Sequence, residues 1–188
     1  MAELQDYSGE FRPNIKYQDF SKEALARLLH AYGRLGIALD GWWHLTVREK
    51  YGKDEAIKLE LATWDKGVPY EQRRVMKALN IQGNDVAACF KELQMDPQFC
   101  LEIFDMTWDL KNNNHGILTV NRCPPMEIFE KQGDTKTMCA MCDLDYKAFE
   151  KIARFFNSNM HVITLKMPPR KDPNEIACRF EFKVEPTV

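Results

Sequence analysis

The sequence predicts an α+β fold, in which a helical N-terminal half packs on a four-stranded antiparallel sheet of β-β-α-α-β-β order. Three observations predict it. Apolar residues recur at helical spacing up to about residue 97, and beyond that point the period changes to the alternation typical of strands. At the C-terminus, a clean alternation predicts which side chains of one strand face the core: Ile176, Cys178, Phe180, Phe182 and Val184.

The helical half divides into several predicted helices. Ser21 is a good N-cap for the first, which we expect to run to Gly52, a residue type that commonly ends helices. Further helices are predicted over 53–64, 70–79 and 85–93, and the segment Gly67-Val68-Pro69 predicts a break between two of them.

The second half begins with a predicted hairpin. Alternation from Cys100 to Leu110 and a run from Ile117 to Cys123 indicate two strands joined by a turn. The remaining elements are predicted as helices over 126–131 and 143–157, a loop over 132–137, and strands over 161–167 and 176–184. We therefore expect an N-terminal arm (1–18), a helical subdomain (19–97) and an α+β subdomain (98–188), which together form one unit.

Composition excludes several classes of protein. The chain has 26 basic and 28 acidic residues, so it lacks the basic surface that attracts nucleic acid. No apolar run approaches the roughly 18 residues that a membrane span needs, and the polar start of the chain is unlike a secretory signal. We expect a cytoplasmic protein without membrane or nucleic-acid partners, whose partner is a small molecule and whose helical half can supply a homodimer surface.

Four of the six cysteines form the main lead to function: Cys123, Cys139, Cys142 and Cys178. One Cys-x-x-Cys pair with two single cysteines could complete a tetrahedral zinc or iron site, although the second pair typical of zinc ribbons is missing. No cofactor is predicted outright. The alternative is that Cys178 is a small core residue on an apolar strand face.

A catalytic interpretation centres on Cys142. A cysteine just ahead of the helix predicted at Asp143 would have its thiol pKa lowered by the positive helix end, with Cys139 as a resolving thiol. The nearby carboxylates of Asp143 and Asp145 act against this, because they disfavour a thiolate. His115 is the candidate base for Cys142 or Cys178, whereas Cys123 lies at the far end of the intervening strand. The alternative for His115 is a hydrogen bond within its own loop.

A polar helix face provides a further candidate site. Asp40, His44 and Arg48 share one face of a continuous helix and could line a pocket walled by Trp42 and Trp43. The alternative is a hydrogen-bond network between helices. Trp108 and Tyr146 are added to the expected ligand contacts because both lie on apolar faces of their elements.

Several stretches of the chain are similar to known families. Residues 40–52 with Ala56 and Trp64, together with 114–124, 142–146 and 176–182, resemble a family of uncharacterised bacterial cytosolic proteins. The C-terminal half is also similar to L-2-amino-thiazoline-4-carboxylate hydrolase-like proteins. That resemblance implies ring opening of a small heterocycle, with Cys123, Cys142 and Cys178 as the matched cysteines.

Three functions follow as alternatives. The first is binding of a small molecule in a cysteine-containing pocket between the helical half and the sheet. The second is a cysteine-dependent hydrolase of a small heterocyclic or amide-like substrate. The third is a protein with a cysteine-ligated metal ion.

Overall fold

Helices make up the N-terminal half of the described structure, and a four-stranded sheet with two further helices makes up the C-terminal half. The computed structural model describes residues 3–99 and 103–185. In chain order the elements are a 3-10 turn Tyr17–Asp19, α1 (Lys22–Tyr51), α2 (Lys53–Leu79), α3 (Val86–Leu93), a 3-10 turn Pro97–Phe99, β1 (Asp105–Asn112), β2 (His115–Arg122), α4 (Pro124–Gln132), α5 (Thr135–Phe156), β3 (Met160–Lys166) and β4 (Cys178–Val184). The α+β class and the β-β-α-α-β-β order are confirmed. Cys100, predicted to start the first strand, lies outside the described residues.

The first helix begins and ends where the sequence predicts. The Ser21 hydroxyl accepts a hydrogen bond from the Ala24 N–H at 3.2 Å, which satisfies a donor of the first turn. Gly52 follows the last residue of α1 with a φ of +85°, a conformation that side chains with a Cβ rarely adopt. This glycine therefore separates α1 from α2.

The predicted break in α2 is wrong, because the helix continues through Pro69. A proline inside a helix removes one hydrogen bond and costs about 3 kcal/mol. Val68 and Gln72, on either side of Pro69, are buried, and α2 packs against α1 and α5. Burial of this face compensates for the local cost of the proline.

The start of α5 is also different from the prediction. Asp134 accepts a hydrogen bond from the Thr137 N–H at 3.0 Å and caps a helix that begins at Thr135, eight residues before the expected Asp143. The predicted loop over 132–137 therefore contains a helix start. As a result Cys139 and Cys142 lie inside the helix, and Cys142 is two turns away from its positive end.

The sheet has the strand order β1-β2-β4-β3, with antiparallel neighbours throughout. On β4, Phe180 and Phe182 face inward and are buried, while Arg179 and Lys183 are exposed, so the predicted alternation is confirmed. β2 and β4 pair at the centre of the sheet. The hairpin of β1 and β2 therefore lies beside the pair formed by β3 and β4.

The inner face of the sheet packs against α3 and α5. Phe90 of α3 has its ring 5.2 Å from that of Phe182, and Phe149 of α5 lies 5.1 Å from Phe180, measured between ring centroids. A Cβ at Gly116 would lie 2.6 Å from the Phe90 ring, so only glycine allows α3 this close to β2. The helices α1 and α2 then pack on the outer side of α5, through α2.

Helix α1 also leaves one apolar face exposed. Tyr32, Leu35, Leu39 and Trp42 recur at spacings of three and four residues, and each is at least half exposed. Among the described residues, no helix combines the length and the apolar character needed to cross a membrane.

Candidate functional site

A cavity of about 40 Å³ lies between the inner face of the sheet and α5. Its lining contains Cys123, Cys142, Cys178 and Asp145, and the rest of the lining is apolar. We call it the cysteine cavity. Its size admits one or a few water molecules, or a fragment of few heavy atoms.

Three separate elements deliver the thiols to this cavity. Cys178 is the first residue of β4 and pairs with Val120 of β2, so the register between these strands places it near the end of β2. Cys123 follows the end of β2, where Pro124 starts α4. Cys142 and Asp145 are three residues apart on α5 and therefore share a helix face.

The fourth predicted cysteine ligand, Cys139, is not among the residues that line the cavity. Its thiol donates to the carbonyl oxygen of Pro168 over 3.9 Å. Within residues 3–99 and 103–185, no group of three or more His, Cys, Asp or Glu side chains is arranged to hold a metal ion. The zinc or iron site stays a prediction, and the structure brings three of its four expected ligands to one cavity.

The predicted pairing of His115 with a cysteine is wrong in its geometry. His115 Nε2 lies 2.7 Å from Glu181 Oε1, and both residues belong to the outward-facing sets of β2 and β4. Val120 and Cys178, which line the cavity, belong to the inward-facing sets of these strands. The sheet therefore separates the imidazole from the thiols of Cys142 and Cys178.

The aromatic residues predicted as ligand contacts lie elsewhere. Trp42 is 64 % exposed and Trp43 38 % exposed on α1, and neither lines the cysteine cavity. Trp108 packs edge-on against Phe90 in the core at 5.1 Å. The Tyr146 hydroxyl donates to the Val162 carbonyl at 3.2 Å and so fixes α5 to β3.

Two residues of the Asp40, His44 and Arg48 face, His44 and Arg48, form the network between helices that the sequence left as an alternative. His44 Nδ1 lies 2.5 Å from Glu60 Oε2 of α2, and both residues are buried. Arg48 Nη1 donates to Thr137 Oγ1 of α5 at 2.8 Å. Burial raises the pKa of Glu60 to about 7 and lowers the pKa of His44, so this pair shares one proton near neutral pH.

The cavity keeps its thiols protonated. Burial raises the pKa of Cys123 to about 12, and burial also raises the pKa of Cys142 and of Cys178. The nearby Asp145 carboxylate adds to the increase at each of the three thiols. The lowered thiol pKa expected for a cysteine at a helix start is therefore wrong for Cys142, because the residue lies inside an apolar cavity and inside the helix.

Among the residues that the structure describes, Asp145 carries the one carboxyl group in the cavity lining. Burial raises the pKa of its carboxyl to about 7, and the negative charges of Glu60 and Asp40 add to the increase. Its side chain forms no hydrogen bond with any residue that the structure describes. A half-buried acid without a partner gains from a ligand that donates a hydrogen bond.

Sequence reasoning named Asp145 only as a charge that opposes a thiolate at Cys142, and it missed four further acids. These four lie on α2, α3 and the turn after it, and burial is the largest cause of the raised pKa of each: Glu60, Glu71, Glu92 and Asp96. A signal was present in the spacing. Glu92 occupies the apolar face of α3 one turn after Cys89, and Asp145 occupies the apolar face of α5 one turn before Phe149.

Comparisons with known proteins place the chain in a family. Residues 18–184 match the model of a family of unknown function (DUF6125). The chain belongs to this family. No curated protein matches the sequence, and no solved structure matches the fold. The resemblance to an uncharacterised family is thereby confirmed, and the function has to be argued from the cavities themselves.

Proposed function

We propose that the protein binds a small, largely apolar molecule with one N–H donor in the cysteine cavity. The observation that carries this proposal is the convergence of three thiols, from three separate elements, on a half-buried carboxyl group that has no hydrogen-bond partner among the described residues. Apolar walls favour an apolar body, and Asp145 favours a donor at one end of it.

Binding accounts for the chemistry of the cavity better than nucleophilic attack does. Attack requires a thiolate, and the raised pKa of each cavity thiol keeps it protonated at neutral pH. Within residues 3–99 and 103–185, the only other titratable group in the lining is Asp145, whose charge disfavours a thiolate beside it. Protonated thiols in apolar surroundings serve as small, polarisable contacts for a ligand.

The test compares two five-membered rings of the same shape. Pyrrole carries an N–H donor, and furan does not. Methyl NMR of the full chain follows Met106 and Met126, which line the cavity, with Met160 as a buried methionine outside the lining. We expect pyrrole to shift both lining methyls and to bind about tenfold more tightly than furan, the factor that one hydrogen bond to a charged group supplies.

A matched pair of variants locates the donor contact. Asp145→Leu should abolish the preference for pyrrole, whereas Asp143→Leu, an exposed change two residues earlier on α5, should preserve it. Equal binding of the two rings by the unaltered chain would contradict the proposal. So would a preference that survives Asp145→Leu, or shifts confined to Met160.

The alternative is a hydrolase of a small heterocycle, which the similarity of the C-terminal half to L-2-amino-thiazoline-4-carboxylate hydrolase-like proteins favours. Cys142 would be the nucleophile and Asp145 the neighbouring proton acceptor. Incubation with L-2-amino-thiazoline-4-carboxylate, followed by proton NMR of the ring, tests it. Turnover that Cys142→Ser abolishes and Cys139→Ser preserves would establish this activity, and an unchanged ring would reject it for this substrate.

The metal alternative has a separate test. Elemental mass spectrometry of chain purified without a histidine tag or chelator should show about one zinc or iron per chain if the cysteines are ligands. Cys142→Ser should then lower both metal content and thermal stability. A chain without stoichiometric metal would reject this alternative.

The homodimer through the helical half is proposed at the exposed apolar face of α1. Light scattering of the full chain measures its mass, and Leu39→Lys places a charge in the middle of this face. A dimer that becomes a monomer in this variant supports the assignment. A monomer in the unaltered chain rejects it.

A further inference from the structure

A second, larger cavity of about 110 Å³ lies among the helices, against a neighbouring face of α5. Three carboxylates line it from three different parts of the chain: Asp40 of α1, Glu71 of α2 and Asp96 after α3. Within residues 3–99 and 103–185, no lysine, arginine or histidine is part of the lining. We call it the carboxylate cavity.

A buried amide in the same lining has a hydrogen-bond partner for its nitrogen but not for its oxygen. Gln72 is fully buried, and its Nε2 donates to Asp96 Oδ2 at 3.2 Å. The Gln72 Oε1 atom has no hydrogen-bond partner among the described residues. An unpaired buried acceptor costs about 1–3 kcal/mol, so this oxygen independently indicates a ligand that donates hydrogen bonds.

The charges of the lining also favour a ligand that donates hydrogen bonds, and in particular a positively charged one. Burial raises the pKa of Asp40, Glu71 and Asp96, and at Glu71 the charges of Asp96 and Asp40 add to the increase. A positive ligand would reverse this mutual repulsion. The described residues offer no cation within the lining to do so.

The walls distinguish between kinds of cation. No group of three acidic, cysteine or histidine side chains in the described part of the chain is arranged to hold a metal ion. Trp64, Val68, Phe99 and Ile152 supply apolar and aromatic surface to the same cavity. Metal ions such as Mg²⁺ require an oxygen shell, whereas an alkylammonium ion combines a charged head with an apolar stem and is attracted to aromatic rings.

From the three carboxylates, the unpaired Gln72 oxygen and the apolar walls, we propose that the carboxylate cavity binds a small alkylammonium ion. The ammonium group donates its three N–H bonds to the cluster of oxygen acceptors, and the alkyl stem packs against the apolar wall. This site is independent of the function proposed for the cysteine cavity.

The experiment uses propylammonium and its neutral counterpart 1-propanol. The full chain is titrated with each in sodium phosphate at pH 7.5, without amine buffers, and the indole N–H signals are followed by NMR. The Trp64 signal is identified as the one that Trp64→Phe removes. We expect propylammonium to shift this signal saturably and to bind at least tenfold more tightly than 1-propanol.

Variants and metal ions complete the test. Asp96→Asn and Asp40→Asn should each weaken propylammonium binding at least fivefold, with circular dichroism to confirm folding, and Asp40→Asn decides the matter if Asp96→Asn does not fold. Asp54→Asn, an exposed change of the same charge on α2, should alter it less than twofold. Equal binding of the alcohol and the amine would overturn the proposal, as would an absence of saturable propylammonium binding. Shifts of the Trp64 signal by Mg²⁺ or Zn²⁺ at lower concentration than by propylammonium would assign the site to a metal instead.

Discussion

The two cavities lie against neighbouring faces of α5 and share Phe99 in their linings, yet their side chains differ in chemistry. The cysteine cavity places one carboxyl, Asp145, among thiols and apolar side chains. The carboxylate cavity places three carboxyls among aromatic and apolar side chains. The first therefore offers a single polar contact in an apolar space, and the second offers several acceptors for one donor-rich cation.

The difference also shows how the same physical cause has different consequences. Burial raises the pKa of the thiols and of the carboxyls alike. A thiol with a raised pKa simply stays neutral at physiological pH, at no cost. A carboxyl with a pKa near 7 or 8 titrates within the physiological range, so Glu60 and Glu92 among the helices and Asp145 in the cysteine cavity make stability depend on pH, whereas the thiols do not.

The largest effect is expected on removal of His44. His44→Ala leaves Glu60 buried without its partner, and we expect a loss of about 3 kcal/mol in the free energy of unfolding at pH 8, measured in urea. His115→Ala, at the half-exposed pair with Glu181, should cost less than about 1 kcal/mol. Comparable losses of stability at the two sites would show that burial of the His44–Glu60 pair adds nothing to its contribution.

Thiol reactivity should be suppressed throughout the cysteine cavity. With the pKa of Cys123 near 12 and the pKa of Cys142 and Cys178 also raised, alkylation by iodoacetamide at pH 8 should be at least ~100-fold slower than that of a free thiol. Peptide mass spectrometry gives the rate at each cysteine. In concentrated urea, which unfolds the chain, the same cysteines should be alkylated at the rate of a free thiol. Fast alkylation of Cys142 in the folded chain would instead revive the nucleophile assignment.

Stability should decrease as the pH rises from 6.5 to 8.5. Burial raises the pKa of Glu92 to about 8, so the folded chain keeps a proton that the unfolded chain has released at its ordinary pKa of 4.5. This contribution is fully present below pH 4.5 and is lost as the pH rises through 8, and Glu60 and Asp145, with pKa values of about 7, act in the same direction. His44, with a lowered pKa, opposes it only below its ordinary 6.5.

The variant that isolates this effect is Glu92→Met. Both Glu92 oxygens are buried without a partner among the described residues, so an apolar side chain of similar size should stabilise the chain at pH 8 by about 2 kcal/mol, or ~4–8 °C in Tm. The slope of stability against pH should also become smaller. An unchanged slope would show that Glu92 does not titrate in this range.

The smallest effect is expected at Cys178. Cys178→Ala removes a half-buried side chain at the cavity wall and should cost about 1–2 kcal/mol by thermal or urea unfolding. A considerably larger loss, accompanied by release of zinc or iron, would show that Cys178 is a metal ligand. The same substitution at Cys139, outside the lining, serves as the comparison.

Local patterns predicted most of the elements. Ser21 and Gly52 marked both ends of α1, and the alternation from Cys178 to Val184 identified the inward face of β4. Predictions from local signals were wrong where packing or an overlooked cap dominated. Pro69 lies within α2, and residues on either side of it are buried. Asp134 caps α5, which begins eight residues before its expected start.

The sequence by itself determined the α+β class, the strand order along the chain, and three of the cysteines that meet in one cavity. Only the tertiary structure decided that His115 faces away from them and that Asp145 lies among them. It also revealed the carboxylate cavity, whose acids are distributed over α1, α2 and the end of α3. The physical reason is that side-chain periodicity is a local property, whereas strand register and helix packing, which decide which faces meet, depend on contacts between distant parts of the chain.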